Sequence, residues 1–167
     1  MVFMNWGHLL QAIFGKNKNS SSYKKGERFE SYAEKFFPAS FYDLLHRTSD
    51  YKTNCKRFVE SSLKPDFLFR DKLNRRCFYV ECKFRSSMTE GKVECCNSMQ
   101  QLARYHYYSR RTPVFLFVGL GGNPLHPHYV FLIPLQHLKT TSLEPFTINQ
   151  FRILSKAPMH SSSLWSR

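Results

Sequence analysis

The sequence predicts a single α/β domain, a mixed β-sheet flanked by helices, and three observations predict it. Two strand-patterned runs, 67–69 and 77–84, are separated by the polar, turn-like stretch 70–76, which makes them an antiparallel hairpin. A helix-patterned stretch then separates Phe84 from the apolar run that starts at Val114, a link suited to a parallel βαβ crossover. Finally, the 167 residues are 42% hydrophobic, enough for one substantial core and too apolar for disorder.

The elements follow in chain order. Residues 1–14 are apolar and aromatic, and 15–22 are rich in Lys, Asn and Ser, the composition of a flexible connector. The apolar stretch is too short to span a membrane and no positive residue precedes it, so neither a membrane span nor a signal peptide is expected. Residues 1–14 are instead a candidate amphipathic segment for packing on the domain, on a protein partner or on a second copy. A helix is expected over 24–37, stopped by Pro38, with Phe29, Tyr32, Ala33, Phe36 and Phe37 in one apolar stripe. Glu30 falls at the edge of that stripe, whereas Glu27 and Glu34 point away from it. Residues 41–48 read as a first strand. A second helix is expected over 94–109, with Cys95, Met99, Leu102, Ala103 and His106 on one side. Gln101, Tyr105 and Tyr108 gather on the opposite side with Arg104 beside them. Residues 112–120 read as an apolar central strand, 119–127 as a loop, 128–135 as a strand and 146–154 as a short helix. The domain therefore spans 23–157, with 158–167 as a flexible tail.

The chemistry concentrates in the hairpin. Asp66 opens its first strand. In the second, alternation places Tyr79, Glu81 and Lys83 on one face, and Phe78, Val80, Cys82 and Phe84 on the other. Glu81 and Lys83 then lie about 7 Å apart along one side of the strand. Pairing brings Asp66 near Glu81, where two carboxylates repel unless a cation sits between them. Hard oxygen ligands of this kind suit Mg²⁺ or Mn²⁺. A surface salt bridge worth about 0–1 kcal/mol would also explain Lys83, but not the polar face of the second helix. Amide and phenol donors there suit backbone phosphates, and an aromatic ring can stack on a base.

Pro65-Asp66 followed by Glu81-Cys82-Lys83 on a neighbouring strand resembles the PD-(D/E)xK nuclease superfamily, over roughly residues 24–135. Gly26 to Glu30 is similar to the Gly-x-x-Phe-Glu context of the glutamate that members often carry on the helix before the sheet. Gln101-x-x-x-Tyr105 resembles the Gln-x-x-x-Tyr signature of the RecB-like and lambda-exonuclease-like branch. The resemblance implies a restriction-endonuclease-like core and a metal-dependent deoxyribonuclease. Asp66, Glu81 and the backbone carbonyl of Cys82 would hold Mg²⁺ or Mn²⁺, and Glu30 would complete the site directly or through water. Lys83 would orient or help deprotonate the attacking water and offset transition-state charge. Gln101, Arg104, Tyr105 and Tyr108 would bind the nucleic acid, with Gln101 and Tyr105 positioning the strand.

Charge agrees with a polyanionic partner. Lys and Arg number 25 against 12 Asp and Glu, a net +13. After Glu94 the only acid is Glu144, so the C-terminal half meets phosphates without internal competition. DNA is the expected partner, and RNA would satisfy the same features. The five cysteines (Cys55, Cys77, Cys82, Cys95, Cys96) show no Cys-x-x-Cys spacing and read as reduced, buried thiols of a cytoplasmic, reducing compartment. Neither zinc nor the iron–sulfur cluster of some RecB-like nucleases is expected, and His126-Pro127-His128 reads as part of a loop. Repair, recombination and mobile-element or phage DNA processing all suit such an enzyme. Two rival readings are a nucleic-acid-binding domain of this fold without catalysis and a basic assembly protein that docks a partner through its N-terminal segment.

Overall fold

The computed structural model describes residues 20–48, 64–155 and 158–166. The segment 1–14 and Cys55 lie outside the described residues. Helix α1 (Ser20–Phe36) precedes strands β1 (Tyr42–Arg47), β2 (Phe67–Asp71) and β3 (Cys77–Arg85). After the short β4 (Val93–Glu94) come helix α2 (Met99–Ser109), β5 (Val114–Asn123) and β6 (His126–Pro134). A 3₁₀ turn (Leu135–His137), β7 (Ser142–Leu143), α3 (Pro145–Asn149) and α4 (Ser161–Trp165) complete the order.

The main sheet has the order β1-β2-β3-β5-β6. Neighbours are antiparallel except β3 and β5, which are parallel and joined through α2, so the sheet is mixed as expected. Both faces are covered. On one, Phe29, Ala33 and Phe36 of α1, with Phe37 just after it, lie against Phe69, Phe78 and Phe117. Phe29 comes so close that a Cβ on Gly119 would stand 2.5 Å from its ring. On the other, Leu102 and Tyr105 of α2 pack with Val114, Leu116, Val118, Phe131 and Ile133. No helix among the described residues is long and apolar enough to cross a membrane.

Three expectations need correction. The second helix starts at Met99, not at 94, because Ser98 caps it by accepting from Gln101 N at 3.2 Å. Glu94 pairs instead with Ser142 in a two-stranded sheet, and Cys95 N donates to the Thr141 carbonyl. The loop expected over 119–127 is a paired hairpin of β5 and β6, with only Pro124 and Leu125 between the strands. The tail expected over 158–167 is folded in its described part. Met159 and Leu164 are buried, and Asp71, itself buried, accepts from Trp165 Nε1 at 2.7 Å and from Ser161 Oγ. A buried carboxylate needs such donors, and the C-terminal segment supplies them.

Candidate active site

Phe67 pairs with Val80, so Asp66, one residue earlier, comes to face Glu81 across the hairpin. Thr48 clips this stretch in place: its N–H donates to the Asp66 carbonyl at 2.9 Å and its hydroxyl to the Pro65 carbonyl at 3.0 Å. Asp66 N donates to Glu81 Oε2 at 3.3 Å, and Cys82 N donates to Asp66 Oδ2 at 2.8 Å. Lys83 Nζ pairs with Glu81 Oε1 at 2.5 Å. Asp66, Glu81 and Lys83 are thus brought together on one side of the sheet. In a strand, the carbonyl of a residue leaves by the same edge as its N–H. The Cys82 carbonyl therefore points off β3 toward Asp66, while Tyr79 N bonds the other way, to Pro113.

Burial dominates the electrostatics of the site, and the neighbouring carboxylates add to it. The Asp66 carboxyl is pushed well above the usual carboxylate range, first by burial and then by the Glu81 and Glu30 charges, against Lys83 and the Cys82 N–H. Burial acts to lower the Lys83 pKa, but Glu81 and Asp66 outweigh it, so the net direction is upward and Lys83 is held as an ammonium. Burial raises the Glu30 carboxyl too, opposed by Arg47 and reinforced by Glu81. Glu30 is thus within the field of the hairpin pair. Arg47, which sequence reasoning passed over, lies 3.5 Å from Glu30 and also pairs with Glu34. As the last residue of an edge strand it carries no local pattern that marks it.

The residues present fit a hard divalent cation. Asp66 and Glu81 meet across the hairpin, Glu30 adds to their field, and an added cation would relieve the repulsion between them. No group of three His, Cys, Asp or Glu side chains converges at ligand distance among the described residues. The protein donors would therefore be two carboxylates and the Cys82 carbonyl, with water completing the shell, the pattern Mg²⁺ favours. The cysteines offer nothing comparable: burial pushes Cys95 up to about 12 and Cys96 up to about 11, which keeps both as thiols.

Helix α2 is rotated from the expected orientation. Tyr105 is only 2% exposed, whereas Met99, assigned to the core, is 56% exposed and Ala103 is exposed as well. The inward stripe is Leu102, Tyr105, His106 and Ser109, the last two bonded to Leu138 O and to the His106 carbonyl. Gln101 Oε1 accepts from Asn97 N at 2.9 Å, and its Nε2 donates to Tyr105 Oη at 2.8 Å. The phenol oxygen is then free to donate onward, and the Glu81 carboxylate is the acceptor on that side. The Tyr105 pKa is raised by burial first, then by the charge and hydrogen bond of Glu81. A ring this buried cannot stack on a base, and the Gln101 amide is already engaged at both ends. Arg104 lies with its guanidinium 5.7 Å from the Tyr105 ring, and Tyr108 packs 5.7 Å from Tyr79. The exposed aromatic of this helix is Tyr107. The Ser98-x-x-Gln101 spacing, a capping-box pattern, is the signal that could have set the helix start and hence its phase.

No family model matches the chain, and no curated protein matches it in sequence. Among solved structures it is similar to Hjc of Archaeoglobus fulgidus, a Holliday junction resolvase from an archaeal hyperthermophile. The TM-score is 0.53 at 13% identity, covering 77% of this chain and 90% of that one. The chain has a restriction-endonuclease-like fold. At this identity the likeness extends to the fold alone, and the site rests on the chain's own geometry.

Proposed function

We propose that the protein is a divalent-metal-dependent deoxyribonuclease that hydrolyses phosphodiester bonds in DNA recombination or repair, or in mobile-element or phage DNA processing. One observation carries this reading: Asp66 and Glu81 meet across the hairpin with Lys83 beside them, and the Glu81 charge adds to burial in disfavouring an ionised Asp66. The similarity to a resolvase in fold supports it.

In this reading Asp66, Glu81 and the Cys82 carbonyl hold Mg²⁺ or Mn²⁺. The ion supplies charge neutralisation at the scissile phosphate and access to hydroxide near neutral pH. Lys83, held as an ammonium, orients the attacking water and donates to the phosphoryl oxygens as charge builds on them. Glu30 tunes the site from α1. Gln101 and Tyr105 act on the substrate strand through Glu81, which they hold in place, whereas Arg104 and Tyr108 are nearer the surface and contact the nucleic acid. The basic composition, net +13, makes binding fall steeply with salt.

The deciding experiment incubates the protein with linear, circular, forked, four-way and single-stranded DNA plus Mn²⁺. Cleavage of at least one form, abolished by excess EDTA, is the expected result. Glu81→Ala and Lys83→Ala should stop cleavage while DNA affinity is kept. Binding without cleavage of any form would favour the non-catalytic reading, and undiminished cutting in EDTA would remove the metal.

Glu30→Gln should lower the cleavage rate roughly tenfold or more, the scale of a group one step behind a metal ligand. Glu27→Gln should change it little, because Glu27 is exposed on the outer side of α1. Equal losses would show that α1 meets the site through its other face.

A further inference from the structure

Past Arg85 the sheet narrows to two strands. The pairing of β3 with β5 ends at Arg85 and Leu120, whereas β5 and β6 stay paired through Gly122 with Pro127 and Asn123 with His126. From Leu120 to Asn123 this ribbon stands about 10 Å beyond the sheet. It leaves from the end toward which β3 runs after Glu81 and Lys83. Lys83 pairs with Val118, so the tip lies about 17 Å further along β5, roughly half a turn of duplex DNA.

The tip is built to keep its shape. Gly121 and Gly122 take φ of 70° and 68°, a region that side chains disfavour. A Cβ on Gly122 would stand 2.7 Å from the His126 carbonyl and 2.9 Å from the His128 ring, and one on Gly121 would stand 3.0 Å from His128 Nδ1. The His128 imidazole thus rests across a stretch of strand bare of side chains. Asn123 Oδ1 accepts from Leu125 N at 2.9 Å and from His126 N at 3.1 Å, closing the turn.

Its surface is free of acid and mixes apolar with polar side chains. Leu125, His126 and His128 are exposed, and no Asp or Glu occurs from residue 95 to 143. Phe29 against Gly119 brings the first turns of α1 alongside, with Lys24, Lys25 and Arg28 exposed and Lys25 Nζ 3.4 Å from Ser86 Oγ at the end of β3. The acids at this end are Glu27, which binds the Tyr23 hydroxyl, Glu90 on the loop after β3, and Glu94, which pairs with Arg85 at 3.5 Å.

We propose that the β5–β6 ribbon enters the major groove of double-stranded DNA, with His126 and His128 as its polar contacts and the first turns of α1 on the flanking phosphates. A two-stranded ribbon fits the major groove of B-form DNA, while the deep, narrow major groove of A-form RNA excludes it. Tyr129, the exposed aromatic of the ribbon, already carries the Arg152 guanidinium 4.7 Å from its ring, so stacking on a single strand is disfavoured. The inference rests on the nuclease reading only for where the groove lies relative to the cleaved bond.

The test is binding by the full chain, in EDTA, to a labelled DNA duplex of about three helical turns, the matching RNA duplex and single-stranded DNA. Wild type should prefer the DNA duplex. The double variant His126→Ala/His128→Ala, and separately Leu125→Glu at the exposed tip, should weaken duplex binding about tenfold or more. Single-strand affinity and melting temperature should stay unchanged. Equal losses on duplex and single strand, or no loss, would overturn the proposal. If wild type cuts nothing with Mn²⁺ while the ribbon variants still lose duplex binding, the ribbon assignment stands and the nuclease reading falls.

Discussion

Asp66→Asn is expected to stop cleavage, by on the order of a thousandfold, and at the same time to raise the melting temperature by several degrees. The two effects share one cause. Asp66 is buried beside Glu81 and within the field of Glu30, so its ionised form is disfavoured in the folded chain. Asparagine keeps an oxygen to accept from Cys82 N and removes the charge. The sign of the pH dependence follows. The folded-state pKa lies above the ordinary value of 3.8, so between the two values the folded chain binds more protons than the unfolded one. This contribution to stability is complete below about 3.8 and is lost as pH rises through the folded value. The wild-type melting temperature should therefore fall over that window more steeply than that of Asp66→Asn. Mg²⁺ or Mn²⁺ at neutral pH should restore stability to wild type and not to the variant, because an ion that binds only the folded state adds its binding free energy. A variant that melts below wild type, or shows the same pH slope, would show that Asp66 is not held against repulsion.

Tyr105→Ala is expected to destabilise the fold by about 3–5 kcal/mol, the cost of deleting a large buried ring. Met99→Ala, at an exposed position, should stay within about 0.5 kcal/mol of wild type. The contrast reverses what helical periodicity alone predicts for α2. Tyr105→Phe separates packing from chemistry. It keeps the ring but leaves Gln101 Nε2 and the Glu81 carboxylate short of a partner, at about 1–3 kcal/mol. Its cleavage rate should fall while DNA affinity holds, since the hydroxyl faces Glu81 and not solvent. Chemical denaturation followed by tryptophan fluorescence reads the first comparison, and single-turnover cleavage with a parallel binding titration reads the second. A Met99→Ala loss as large as that of Tyr105→Ala would mean that α2 packs by its other face.

The sheet and the acidic hairpin were legible in the sequence because each depends on a short-range pattern. Period-two alternation put Glu81 and Lys83 on one face, and the polar turn between the runs brought Asp66 opposite Glu81. The stripe through Phe29, Ala33, Phe36 and Phe37, stopped by Pro38, likewise identified α1 and its buried side. The rotation of α2 was not legible. An apolar stripe that begins at Cys95, outside the helix, gives the wrong phase, and a tyrosine one turn from a glutamine reads as a solvent-facing pair. Only the folded chain brings up Glu81 as the partner that lets a phenol be buried. The same holds for Asp71, which beyond the local Leu73 N–H draws its donors from Ser161 and Trp165 at the far end of the chain, and for Arg47 between Glu30 and Glu34. Local sequence determined which segments alternate between water and core, and so the elements and most of their order. Tertiary contacts decided which polar side chains were buried, because burying one depends on a partner that no local pattern contains.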